Sequence, residues 1–188
     1  MLSPYASARR RHADIRSDVY SFVRDQYVRA GVVTTDLRVT DIDRTAMEAW
    51  SGTWMGRRHP ADAGAWNWPL LIECMPRRAA ILPVALWSGD DLCGLILGRA
   101  SRHRQTGVRH TVTLTYVERR PEPPPVPLRG EIVLLALSIA TAYGKAVGAS
   151  RIRLGYPEPR LIGWYERLGF VVARSGGKAV YCEREIKP

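Results

Sequence analysis

Apolar residues recur at helical spacing between positions 10 and 30, where Ile15, Val19, Phe22, Val23 and Tyr27 share one stripe among Arg and Asp. Gly31 stops the pattern, which therefore predicts an amphipathic helix packed on the body of the protein. The period then shortens. Residues 36–41 (DLRVTD) alternate as a half-buried strand does. Asp41 or Asp43 can cap a helix carrying Met47, Trp50 and Trp54 on one face. Asn67 or Trp68 can cap a short helix with Pro69 in its first turn, ended by Pro76. Residues 80–87 and 92–98 flank the polar turn 88–91 as a hairpin, and Pro83 marks an edge or a bulge.

After a basic loop, residues 111–118 (TVTLTYVE) alternate clearly and predict a strand, followed by a Pro-rich bend over 121–127. Residues 128–147 form the strongest helix, with Glu131, Ser138, Thr141 and Lys145 as a narrow polar stripe, so it is expected to be largely buried. A short strand over 151–154, a helix over 160–168 and a hairpin turning at Ser175-Gly176-Gly177 complete the chain. Without the leading helix the order is βααβββαβαββ, an α/β domain around a mixed sheet. The expected organisation is an N-terminal helical extension over 1–33 and one domain over 34–188.

Composition narrows the class. A chain of 188 residues with 46% hydrophobic and 24% charged residues buries a sizeable core, which excludes intrinsic disorder. The net charge is +10, carried by 25 Arg and only 3 Lys. Such a balance favours an anionic partner: a nucleic acid, an acidic protein or a phosphorylated cofactor. Arg99, Arg102, Arg104, Arg109, Arg119 and Arg120 cluster around one strand as a candidate patch, although no helix-turn-helix, zinc or RNA-binding signature accompanies them. Cys74, Cys93 and Cys182 are widely spaced, with no CxxC pair, so neither a metal site nor a disulfide framework is expected. The longest apolar run, 132–142, falls well short of the roughly 20 residues that span a bilayer. With no apolar segment at the N-terminus, a cytoplasmic chain without a membrane partner is expected. Four Trp between positions 50 and 68 fit either core packing or an apolar substrate cleft, with core packing the stronger reading.

Residues 161–170 (LIGWYERLGF) carry a more specific pattern. The run Tyr165-Glu166-Arg167-Leu168-Gly169-Phe170 resembles the "YExLGF" signature of the GNAT superfamily, the acyl-CoA-dependent N-acyltransferases. The order of elements from position 36 to 185, about 150 residues, is also similar to that family's. The resemblance implies a GNAT-like, mostly antiparallel twisted sheet flanked by helices, and acetyl-CoA or another acyl-CoA as cosubstrate. It implies that Tyr165 protonates the leaving thiolate, a role that suits a phenol still protonated at neutral pH. It also implies that the backbone around Tyr116, Val117 and Glu118 faces the thioester. Glu118 is then the candidate base, with Glu122 second, although Arg119 and Arg120 beside Glu118 suggest a solvated carboxylate of lowered pKa.

In this family the cofactor's pyrophosphate rests on the N-terminus of the long helix, where unpaired N–H groups and the helix dipole favour anions. Arg129, Gly130, Glu131 and Ile132 fall there in this chain. Ile132 and Leu134 replace the family's two loop glycines and are expected to crowd the phosphates, and Glu131 adds a like charge. Two functions follow as expectations. One is transfer of an acetyl group from acetyl-CoA to a primary amine, on a small molecule or a protein. The other is a catalytically silent module of the same fold whose basic surface takes an anionic partner, in a chain that can be a homodimer.

Overall fold

A computed structural model of the chain describes residues 3–55, 57, 66–74, 79–102, 110–122 and 126–187, with the backbone alone at 102 and 110. Its order of elements is α1 (Pro4–Arg29), β1 (Leu37–Thr40), α2 (Arg44–Thr53), α3 (Trp68–Cys74), β2 (Ile81–Ser88), β3 (Asp91–Arg102) and β4 (His110–Arg119), then α4 (Ile132–Ala146), β5 (Ala149–Gly155), α5 (Ile162–Arg167), β6 (Val171–Ser175) and β7 (Lys178–Glu185). This is the predicted order, with the extra N-terminal helix in front. A single 3-10 turn, Pro159–Leu161, leads into α5.

Seven strands form one sheet in the order β1-β2-β3-β4-β5-β7-β6. Five neighbouring pairs are antiparallel and one, β4 with β5, is parallel. Parallel neighbours need a crossover, and α4 supplies it. Pro83 lies inside β2 and pairs with Leu97, but β1 ends at Thr40, opposite Ala85, so Pro83 sits at a local edge where its missing N–H costs no ladder bond.

The two faces of the sheet bury different clusters. One joins Val19, Tyr20 and Val23 of α1 to Leu135, Ile139 and Tyr143 of α4 over Val84, Ile96 and Val112. The other packs Ala46 and Trp50 of α2, Trp54 and Trp68 against Ala85, Leu95 and Leu97. Three of the four clustered Trp are thus core residues. Phe22 departs from the expected stripe and is exposed, because Arg16 and Tyr20 take the inward positions beside Val19 and Val23. Arg16 does so by forking onto both Asp41 oxygens at 2.8 and 2.6 Å, while the Tyr20 hydroxyl donates to Asp41 at 2.9 Å. A buried cation needs such a partner. This network, with His12 Nδ1 and the Tyr143 hydroxyl 2.8 Å apart, fixes α1 to both the sheet and α4.

The long helix starts at Ile132, four residues after the predicted start. Residues 127–130 are turns, and Gly130 adopts φ +90°, which a continuing helix does not allow.

Candidate functional site

The strands that frame the site are parallel for only part of their length. β4 and β5 pair from His110↔Ala149 to Leu114↔Leu154, and there the ladder ends, although β4 runs on to Arg119. A β-bulge falls at the same point. Against β3, Leu97 pairs with Tyr116 and Gly98 with Leu114, so Thr115 is the extra residue. The bulge bends β4 away from β5 and shifts the side-chain alternation that follows. Beyond it Val117 packs against the α1/α4 cluster, while Tyr116 packs against the α2/α3 cluster. The β4 backbone groups that face β5 past Leu114 have no strand partner among the described residues.

A cleft of about 340 Å³ opens in this gap. Leu114, Thr115 and Val117 form one wall, and Leu154, Gly155, Tyr156, Glu158, Arg160 and Leu161 the other, with Trp66 beside them. Glu158 accepts from Arg160 Nε at 2.9 Å, and its side chain is about one-third exposed. Trp66 meets the Tyr116 ring edge-on, centroids 4.8 Å apart. Tyr156 is the one described non-glycine residue with a left-handed backbone, φ +51°, and its side chain stands 82% exposed. Such a conformation costs about 1–2 kcal/mol in an L-residue and marks sites where geometry serves a purpose.

Tyr165, on α5, is buried and is not among the residues that line the cleft. Its ring packs against Trp164 and Phe170, and the hydroxyl has no hydrogen-bond partner among the described residues. Burial, and then the nearby Cys182 and Glu158, push its pKa up to about 12. The following Gly169 adopts φ +82°, the left-handed release expected from the signature, and Phe170 is buried.

Glu118 does not behave as a solvated carboxylate. It is buried, and the fully buried Trp68 donates its indole N–H to Oε2. The flanking arginines turn elsewhere: Arg119 pairs with Glu122 at 2.7 Å and the buried Arg120 with Asp91 at 2.8 Å. Neither adds a free charge to the expected basic patch. Arg104 and Arg109, and the side chain of Arg102, lie outside the described residues. Glu122, the second candidate base, is held between Arg119 and Arg129. Glu118 and Glu122 do not line the cleft; Glu158 does.

At the head of α4 the expected crowding by Ile132 is absent. Its side chain is buried and points into the sheet, where a Cβ added to Gly94 of β3 would lie only 2.9 Å from its Cδ1. Glycine at 94 is what admits Ile132 to the core. Leu134 is half-buried. Gly130 and Arg129 are exposed, Arg129 reaching Glu122 at 3.5 Å, and Glu131 occupies the N-cap without a side-chain hydrogen bond. Among the described residues no side chain caps the first amides of α4.

Two parts of the site carry no signal in the residue pattern. The bulge at Thr115 is a matter of register between strands, which alternation does not reveal. Glu158 and Tyr156 sit in the Tyr156-Pro157-Glu158-Pro159 segment, whose prolines read only as a rigid connection.

Among the described residues no helix is long and apolar enough to cross a membrane. No family model and no curated protein sequence matches the chain. Solved structures do. A transcriptional regulator from Bacillus halodurans C-125 is similar with a TM-score of 0.56 at 16% identity, over 76% of this chain and 97% of that one. The ribosomal-protein-S18-alanine N-acetyltransferase from Escherichia coli follows with 0.53 at 13%, over 81% and 95%. AtaTR bound with AcCoA gives 0.51 at 14%, over 80% and 94%. Identities this low speak for architecture and not for substrate. Together with the sheet order and the parting of β4 from β5, they establish that the chain has the GNAT acetyltransferase fold.

Proposed function

We propose that the protein transfers an acetyl group from acetyl-CoA to a primary amine. The observation that carries this reading is the bulge at Thr115, which opens the cleft where β4 leaves β5 and frees β4 backbone groups on its wall. An acyl transfer needs hydrogen-bond donors aimed at the oxygen that gains charge, and those N–H groups within residues 115–118 that face away from β3 are suited to that task. The same edge can hold the extended amide-bearing arm of the cofactor as an added strand would be held. Its pyrophosphate would rest on the uncapped first amides of α4, beside Arg129 and Gly130, with Ile132 withdrawn beneath them. The chain's own groups thus supply positioning, and the acyl donor supplies the activated carbonyl.

The amine nitrogen attacks that carbonyl, loses a proton, and the carbon–sulfur bond breaks to leave a thiolate. Glu158 is the carboxylate on the cleft wall, which supports it over Glu118 as the group that takes the amine's proton, directly or through a water. Tyr165 keeps its proton well beyond neutral pH. A thiolate whose conjugate acid has a pKa near 8.5 is too weak a base to remove it fully. Tyr165 therefore acts as a hydrogen-bond donor that stabilises the thiolate, and the thiolate's proton comes from the amine by way of solvent. Glu118 holds Trp68, and through it α3, against the sheet.

Release of free thiol from acetyl-CoA in the presence of primary amines tests the reading. Tyr165→Phe is expected to lower kcat by about ten- to a hundredfold, the range for one lost hydrogen-bond donor, with the melting temperature little changed. Full activity in that variant contradicts the role of Tyr165, and no amine-dependent thiol release from the unaltered chain contradicts the function.

A further inference from the structure

We propose that the amine taken by the cleft carries a planar ring, gripped between Trp66 and Tyr156. The amine in this statement rests on the acetyl-transfer reading; the ring does not. Two exposed aromatic side chains line one small cleft from different segments of the chain. Trp66 is backed by the edge of Tyr116, which limits the turning of its indole. Tyr156 is held up by its left-handed backbone, by Pro157 after it, and by an N–H that donates to the carbonyl of Val180 at 3.2 Å. A strained residue that leaves its ring in water gains nothing from burial, so the fold alone does not account for it.

The rest of the lining selects among guests. Leu154 and Leu161 are apolar, which suits a neutral body. Glu158 is the one carboxylate among the described lining residues, and Arg160 is bound to it at 2.9 Å. A polyamine would need several carboxylates and a nucleotide several cations, whereas Glu158 and Arg160 are paired with each other, so the lining favours a ring over a highly charged guest. A volume of about 340 Å³ is at the small end for ligand sites, which favours a compact guest. Aromatic side chains would add offset-stacked or edge-to-face contacts to the burial of such a ring.

The test uses the full chain and measures equilibrium binding of tryptamine, phenylethylamine and n-butylamine without acetyl-CoA, then kcat/KM for each with it. A tripeptide amide beginning with Phe, beside one beginning with Gly, tells whether the ring arrives on a free amine or at a chain terminus. Ring-bearing amines or peptides are expected to bind roughly tenfold more tightly than their ringless counterparts, as stacking plus burial of one ring allows. Tyr156→Gly, which accepts the backbone geometry, and Trp66→Ala are each expected to erase most of that preference. Equal binding of all the amines and peptides, or a preference that survives both substitutions, overturns the proposal. Preference in binding without turnover of any amine would leave the ring site standing and remove the acetyl-transfer reading; turnover of butylamine as efficient as that of the ring amines would do the reverse.

Discussion

Glu118 illustrates how one side chain's role follows from its partners. A carboxylate between two arginines in sequence becomes a buried acceptor for an indole because the bulge at Thr115 sets which face of β4 it occupies. Glu118→Ala is expected to cost about 2–4 kcal/mol, since it leaves the Trp68 N–H unpaired and opens a cavity. Glu118→Gln keeps an acceptor oxygen and is expected to cost under about 1 kcal/mol. Denaturant midpoints at unchanged slope check both; equal losses would show that Trp68 does not depend on that bond. Glu158→Gln, on the cleft wall, is expected to spare stability and lower turnover instead. Tyr165 and Phe170 were legible because a ten-residue signature fixes both the helix end and the strand start. Glu158 and Tyr156 were not, since nothing in the Pro157/Pro159 spacing announces a left-handed backbone.

At the scale of elements, the contact between β3 and α4 decides whether the head of that helix is open. Two branched residues in place of loop glycines look obstructive in sequence, yet Ile132 is drawn inward by the space that Gly94 leaves. Gly94→Ala is expected to destabilise the protein by about 1–3 kcal/mol through overpacking against Ile132 and Leu86. Ile132→Ala in the same chain removes the clashing branch, so the pair should cost less than the sum of the two single changes. Additive losses, read from a thermal-unfolding double-mutant cycle, would mean the two residues do not touch as described. Element order was readable from changes of period together with turn and stop residues, although β3 is buried continuously from Leu92 to Gly98 and does not alternate. Element ends were less so: α4 begins late since Gly130 has φ +90°, and a strand's register against its neighbour is a tertiary property.

Over the whole molecule, α1 is tied to the sheet and to α4 by a network of buried or partly buried polar groups. Burial raises Tyr20 well above its ordinary pKa, and Tyr143 and Tyr165 to about 12 each. The folded state thus prefers the neutral phenols. Since the folded pKa values exceed the unfolded value near 10, stability is fully present below pH 10 and is lost as pH rises toward 12. Tyr143 and Tyr165 are each expected to forfeit on the order of 2–3 kcal/mol over that interval. Unfolding by urea from pH 8 to 11.5 checks this: a plateau to about pH 10 and then a decline is expected, whereas a constant midpoint to pH 11.5 contradicts it.

Acetyl transfer as proposed requires the parted strands and the head of α4 to receive acetyl-CoA together. Melting of the purified chain with and without millimolar acetyl-CoA tests it most directly. Saturation at about a hundred times Kd contributes about 2.7 kcal/mol, which raises Tm by roughly 5–10 °C for a chain of this size. An unchanged Tm at millimolar acetyl-CoA would contradict the account.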